Sequence, residues 1–214
     1  MPNPKLCAIC GFRPATTRDH IPPRSVFPRP LPVNMITVPA CAHCNNGATA
    51  QDEQFRLYLA ATTAYVNDDA TKVWIEQAMR TLIQNQRIKR ELFGNLPTGG
   101  EPVVRPDGQI GVPIHWPARF YVPVLERMTR GLYYHHQKRV LGSAAECEVQ
   151  MLSALPEPFH ELTDPWPGGQ VGGDVFTYRF GIVDDLRSFW IFQFYRAHWA
   201  TVETFPKGAG RVPQ

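Results

Sequence analysis

Four of the five cysteines fall into two identical spacings, Cys7-Ala8-Ile9-Cys10 and Cys41-Ala42-His43-Cys44. A C-x-x-C turn sets two sulfurs on one side of an ion, and two such turns supply the four thiolates of a tetrahedral zinc. Gly11, after the first pair, permits the tight backbone turn such a knuckle needs. Sulfur at all four positions leaves no open coordination site. Cys7, Cys10, Cys41 and Cys44 are therefore expected to hold a structural rather than a catalytic zinc. The odd cysteine total and the absence of an apolar h-region after Met1 argue against a disulfide framework. A redox dithiol would sit beside a βαβ pattern, and none is visible. Cys147 reads as a buried or neutral thiol.

Between the pairs lies Thr17-Arg18-Asp19-His20-Ile21-Pro22-Pro23-Arg24-Ser25, and after the second pair comes Asn45-Asn46-Gly47. In isolation the first is a solvated turn and the second a turn or helix N-cap. In this order, however, the residues carry a joint pattern: Cys7 and Cys10, then Asp19-His20, then Asn34 within Val33-Asn34-Met35-Ile36-Thr37-Val38, then Cys41, Cys44 and Asn45. The pattern resembles the cysteine-bearing branch of the HNH endonuclease family, whose fold is a ββα-metal finger. The likeness covers about residues 5–56, roughly a quarter of the chain.

The resemblance implies metal-dependent hydrolysis of a phosphodiester. Such chemistry needs a base for the attacking water, charge for the phosphorane and neutralisation of the leaving oxygen. His20 suits the base, since imidazole titrates near neutral pH. Asp19 is a hard oxygen ligand for Mg²⁺ or another divalent cation, and Asn45 would add an amide oxygen. Asn34 is the nearest candidate for the base-orienting Asn; Ile36, through its carbonyl, is the alternative. Many members place a third metal ligand where this chain has Thr49, with Asp52 or Glu53 as possible substitutes. Arg18 and Arg24 flank the Asp-His pair and suit phosphate oxygens. The partner expected is nucleic acid, DNA foremost, and the resemblance points to nucleases of phages, bacterial defence or mobile elements. The alternative is a non-catalytic zinc finger that binds nucleic acid, or a protein-interaction module.

These residues need elements to position them. The 214-residue chain carries a net charge of +3, unevenly spread. Lys/Arg against Asp/Glu run six to three in 1–60, eleven to seven in 61–140 and five to nine in 141–214. The first two thirds can face a polyanion and the last third cannot. Nine of the 21 prolines fall in residues 1–40, so this stretch buries little on its own and depends on its metal.

The periodicity predicts helices over 48–66, 68–92 and 118–137, with Arg119, Arg127 and Arg130 decorating the last. A Gly- and Pro-rich loop with a short strand or hairpin is expected over 94–117. Strands are expected over 146–152, 175–183, 188–196 and 199–205, forming an antiparallel sheet. The expected class is α+β: a nuclease module in 1–60, a helical region in 61–140 and a β region in 141–214. No apolar run is long enough for a membrane span, and a cytoplasmic location is expected.

Overall fold

Alternation decides the first element. Thr17–Ile21 (β1) buries Asp19 and Ile21 and turns Arg18 outward. Ile36–Ala40 (β2) pairs with it antiparallel, setting Asp19 opposite Val38 and His20 opposite Thr37. The structure, a computed structural model, describes residues 5–94, 103–104, 110–111 and 115–209.

The proline-rich connection between the two strands makes only a 3₁₀ turn, Arg24–Val26, but it is pinned from outside. Val26 and Phe27 are buried; the Tyr195 hydroxyl donates to the Val26 carbonyl, and the Gln77 amide donates to that of Phe27 at 2.9 Å.

After β2 the chain turns into Ala42–Asn46 (α1) and then Thr49–Thr63 (α2), completing a ββα unit. Helix α2 is buried from Phe55 through Ala60 because it lies between two apolar clusters. Phe55 and Leu59 join one cluster, and Leu57, Tyr58 and Ala60 join the other.

A single helix over 68–92 is not what forms. Asp68–Val73 (α3), capped by Asn67, runs through a π-helical turn at Trp74–Ala78 into Met79–Gln84 (α4). Asn85 then leaves the helical region, at φ −117° and ψ 92°, and its side chain accepts from the Ile88 amide at the start of Gln86–Gly94 (α5). An Asn side chain competes for backbone donors and favours a cap over a helix interior. Of the two expected stripes, Ala78 and Leu82 are buried, whereas Ile75, Met79 and Ile83 are exposed. The expected loop over 94–117 lies largely outside the described residues, apart from the paired Val103–Val104 (β3) and Ile110–Gly111 (β4).

Ala118–Gln137 (α6) has the bounds its periodicity predicts. It crosses the β1–β2 hairpin at Gly131, where a Cβ would stand 2.7 Å from Ile21 Cδ1. Only a residue without a side chain allows this approach. One helical turn earlier on the same face stands Arg127, buried rather than exposed. Arg130 is also turned inward, donating to the carbonyls of Gly142 and Ala145. The expectation that both decorate a solvent-facing helix is thereby corrected: both lie where the helix packs.

The last third is an antiparallel sheet with two elements that weak patterning hid. Its strands are Ala145–Leu152 (β5), Gly168–Val171 (β6), Phe176–Ile182 (β7), Ser188–Phe194 (β8) and His198–Pro206 (β9), in the spatial order β5-β9-β8-β7-β6. Strand β6 and the helix Glu157–Thr163 (α7) have too little apolar alternation to be read from sequence. Strand β8 is central and largely buried, as its two apolar faces imply. Phe176, Trp190, Phe192, Phe194, Ala200 and Val202 share one buried cluster with Ile21, Val38, Val124, Met128 and Leu132. The sheet, α6 and the hairpin thus have a common core, and the architecture is α+β.

Two predictions follow from this packing. Gly131→Leu forces a side chain into Ile21 and should cost about 2–3 kcal/mol, lowering the melting temperature by roughly 5–10 °C in a thermal scan. The His198 imidazole, within 2.6 Å of the Thr62 hydroxyl, is pushed down to about 4 by burial. Since its ordinary value is higher, the unfolded chain takes up the proton first. Stability should be complete above pH 6.5 and fall toward pH 4, and His198→Gln should flatten that fall in denaturant titrations.

Candidate metal centre and the polar site beside it

The two cysteine pairs meet. Backbone bonds close the first knuckle, Cys7 N to Arg13 O and Gly11 N to Cys7 O, both at 2.9 Å. Gly11 sits at φ +80°, and a Cβ there would lie 2.8 Å from Val140 Cγ1, so turn and packing both demand glycine. The knuckle docks on β2 through Ala8 N to Pro39 O, at 2.8 Å. The second pair lies at the start of α1, where Cys41 Sγ accepts from the Cys44 amide at 3.4 Å. The sulfurs of Cys7, Cys10, Cys41 and Cys44 all fall within 4.8 Å of one another. Four thiolates around zinc stand about 3.8 Å apart, so a small movement closes the shell. Burial, the bond with Cys41 and the charges of the neighbouring sulfurs all push the Cys44 thiol up. A divalent cation reverses that preference, because coordination deprotonates the thiols it binds. The donor set fits a structural zinc, and among the described residues it is the one cluster of three or more such side chains around a common point.

Strand β1 divides the remaining polar residues between two faces. Arg18 and His20 point outward. The Arg18 guanidinium donates to the Thr37 hydroxyl on β2, at 3.2 Å from Nε and 2.5 Å from Nη2. The His20 ring makes no hydrogen bond among the described residues. Its pKa is lowered by burial and by the positive charge of Arg24, with a smaller push from Arg18, against the opposing charge of Asp19. Both arginines singled out as phosphate ligands therefore act electrostatically on the imidazole, which stays neutral at pH 7.

Asp19 points inward and is 5% exposed. Its Oδ1 accepts from the His20 amide at 2.8 Å, and its Oδ2 lies 3.2 Å from Arg127 Nε. The other end of that guanidinium meets Asp52 of α2, Nη2 to Oδ1 at 2.5 Å. Burial raises the Asp19 carboxyl, opposed by Arg127. Asp52 is pushed up to about 6, again by burial opposed by Arg127, with the Asp19 charge adding to the rise. One arginine from residue 127 thus holds two carboxylates from the ββα unit.

Asn45, at the end of α1, donates from Nδ2 to Thr17 Oγ1 and to the Arg18 carbonyl, both at 3.1 Å. This orients the amide and leaves Oδ1 with no donor among the described residues. The Thr49 hydroxyl is spent on the Asn46 carbonyl at 3.0 Å. The Asn34 carboxamide is engaged by the C-terminal sheet: Nδ2 donates to Gln170 O at 2.9 Å, and Oδ1 accepts from Gly172 N at 3.2 Å. It anchors the loop before β2 to β6.

Arg127 is the site residue that the motif did not include. Its signal was the helix period: Phe120, Val124, Met128, Gly131 and Leu132 form the buried stripe of α6, and Arg127 falls within it.

No protein-family model, curated protein or solved structure matches the chain. The site must therefore be argued from its own geometry. Among the described residues no helix is long and apolar enough to cross a membrane.

The metal centre yields a direct test. Cys41→Ser should remove about one equivalent of zinc and lower the melting temperature, and a strong chelator should do the same to the wild-type chain. Metal analysis after gel filtration, paired with circular dichroism, checks both.

Proposed function

We propose that the chain is a metal-dependent endonuclease of the HNH kind, built on a zinc-stapled ββα-metal finger and acting on DNA. The observation that carries this reading is the division of β1. A buried carboxylate, Asp19, faces the helical side, while its neighbour His20 faces outward between Arg18 and Arg24.

A divalent cation also has a plausible seat. Asp19 Oδ2 is a buried carboxylate oxygen without a hydrogen bond, and Asn45 Oδ1 has no donor among the described residues. Both are hard oxygen donors of the type Mg²⁺ takes. When bound, the ion supplies Lewis-acid charge for the phosphoryl oxygens and the leaving group.

The chain's own residues do the rest. Arg18 and Arg24 hold phosphate oxygens and fix the scissile group over β1. The neutral His20 ring takes the proton of the attacking water as its oxygen bonds to phosphorus; the bond from phosphorus to the leaving oxygen breaks, and that oxygen is reprotonated from solvent. Thr37, opposite His20, holds Arg18 in place. Asn34, bound to the sheet, positions the loop that leads into β2.

A second reading, a zinc finger that binds nucleic acid without cutting it, has one observation in its favour: Arg127 already pairs with Asp19. A plasmid-nicking assay across Mg²⁺, Mn²⁺, Ni²⁺ and EDTA separates the two. Metal-dependent nicking is expected, with His20→Ala at least about a hundredfold slower and its zinc content unchanged. Salt-sensitive DNA binding with no nicking by any metal would replace the nuclease with the binding module. Absence of any nucleic-acid binding at low salt would instead favour a protein-interaction role.

A further inference from the structure

The buried triad Asp19–Arg127–Asp52 carries more than packing. Its two carboxylates come from different elements, β1 and α2, and converge on one guanidinium from α6. Formally two negative charges face one positive, inside the protein. The balance is also incomplete in its bonding. Asp19 Oδ2 and Arg127 Nε are 3.2 Å apart, yet they are misaligned and neither makes a hydrogen bond, although both side chains are only 7% exposed. Native interiors rarely leave a carboxylate oxygen and a guanidinium N–H both unsatisfied. A pairing that is close but poorly formed marks a seat shaped for a different cation.

We propose that Asp19 and Asp52 are two arms of one divalent-cation site, and that Arg127 holds those arms when the ion is away. This rests on reading Asp19 as a metal ligand and adds Asp52 as its partner. The ligands are hard oxygens, so the ion is of the Mg²⁺ or Mn²⁺ class. Asp52, rather than the adjacent Glu53, is selected by geometry. Asp52 reaches the guanidinium that touches Asp19, whereas the charge of Glu53 acts on Arg56.

The ion and Arg127 compete. With the ion seated, two carboxylates balance its charge, and a guanidinium kept at the same point would leave a surplus positive charge in a buried space. The arginine must therefore yield as the ion enters. Asp52 is the more accessible arm, its side chain 20% exposed, and it lies on the side from which an ion can arrive.

The sign of one affinity change tests this. Zinc-loaded full-length chain is titrated with Mn²⁺ by calorimetry and by the loss of free-Mn²⁺ paramagnetic signal, with zinc content measured in every sample. Wild type should bind one Mn²⁺ beyond its zinc. Asp52→Asn should bind it at least about tenfold more weakly, and Arg127→Met at least about tenfold more tightly, since a competing cation has been removed. Arg127→Lys keeps the charge and loses the fork, and should fall between wild type and Arg127→Met. If Arg127→Met fails to load zinc, Arg127→Lys decides: Mn²⁺ affinity at or below wild type overturns the competition.

Wild-type affinity in Asp52→Asn, or no Mn²⁺ bound by any folded sample, also overturns the proposal. Neither result touches the nicking assay. A chain that nicks DNA with unchanged Mn²⁺ binding in Asp52→Asn loses only this site. A chain that binds Mn²⁺ as described and never nicks loses the nuclease.

Discussion

The guanidinium of Arg127 is the point on which the polar half of this protein turns. Buried ions are tolerated when paired, and removing one partner of such a pair commonly costs about 3–5 kcal/mol. Here one arginine serves two carboxylates, so β1, α2 and α6 are held to one another by charge as well as by apolar contact. Gly131 makes this possible. It lets α6 come close to Ile21 and Val38, and that proximity brings Arg127, one turn away, within reach of Asp19. The close helix crossing and the ion cluster are two consequences of the same approach.

The four-cysteine cluster does a different job. The first forty residues hold nine prolines and few apolar side chains, so they cannot fold around a core of their own. A metal joins the knuckle at Cys7–Cys10 to the start of α1 at Cys41–Cys44, fixing both ends of the β1–β2 hairpin region. The long loop between the strands is then secured from elsewhere, by Tyr195 on Val26, by Gln77 on Phe27 and by Asn34 on β6. Even the hairpin turn that presents Tyr195 is built for this, with Tyr195 and Arg196 both in the left-handed region at φ 52° and 58°. Such strain in two non-glycine residues is sustained by the bonds it makes possible.

On the nuclease reading, these constraints divide the labour between two sides of one strand. The outward face of β1 meets the substrate, through Arg18, His20 and the nearby Arg24. The inward face meets the ion. Adjacent residues of a strand point to opposite faces, so an Asp-His dipeptide can serve both sides without any loop between them. The C-terminal sheet enters this arrangement as a support: its aromatic side chains are core, not stacking platforms, and its contacts with the finger pass through α6 and the proline-rich loop.

What was legible in the sequence was what local chemistry determines. The two C-x-x-C spacings specify a metal turn wherever they occur, and the 3.6-residue period specifies α6 from Ala118 to Gln137. The alternation of the C-terminal third specifies four of its five sheet strands. The breaks were less visible: the stop at Asn85 depends on one side chain choosing a backbone donor, and β6 has no alternation to read. The partners of the site residues were not visible at all. Arg127 looks like any helical arginine until Gly131 brings its helix onto the hairpin, and Asn34 looks like a site residue until β6 takes both ends of its amide. Residues more than a hundred positions apart are joined by packing, and packing distance is a property that only the tertiary fold decides.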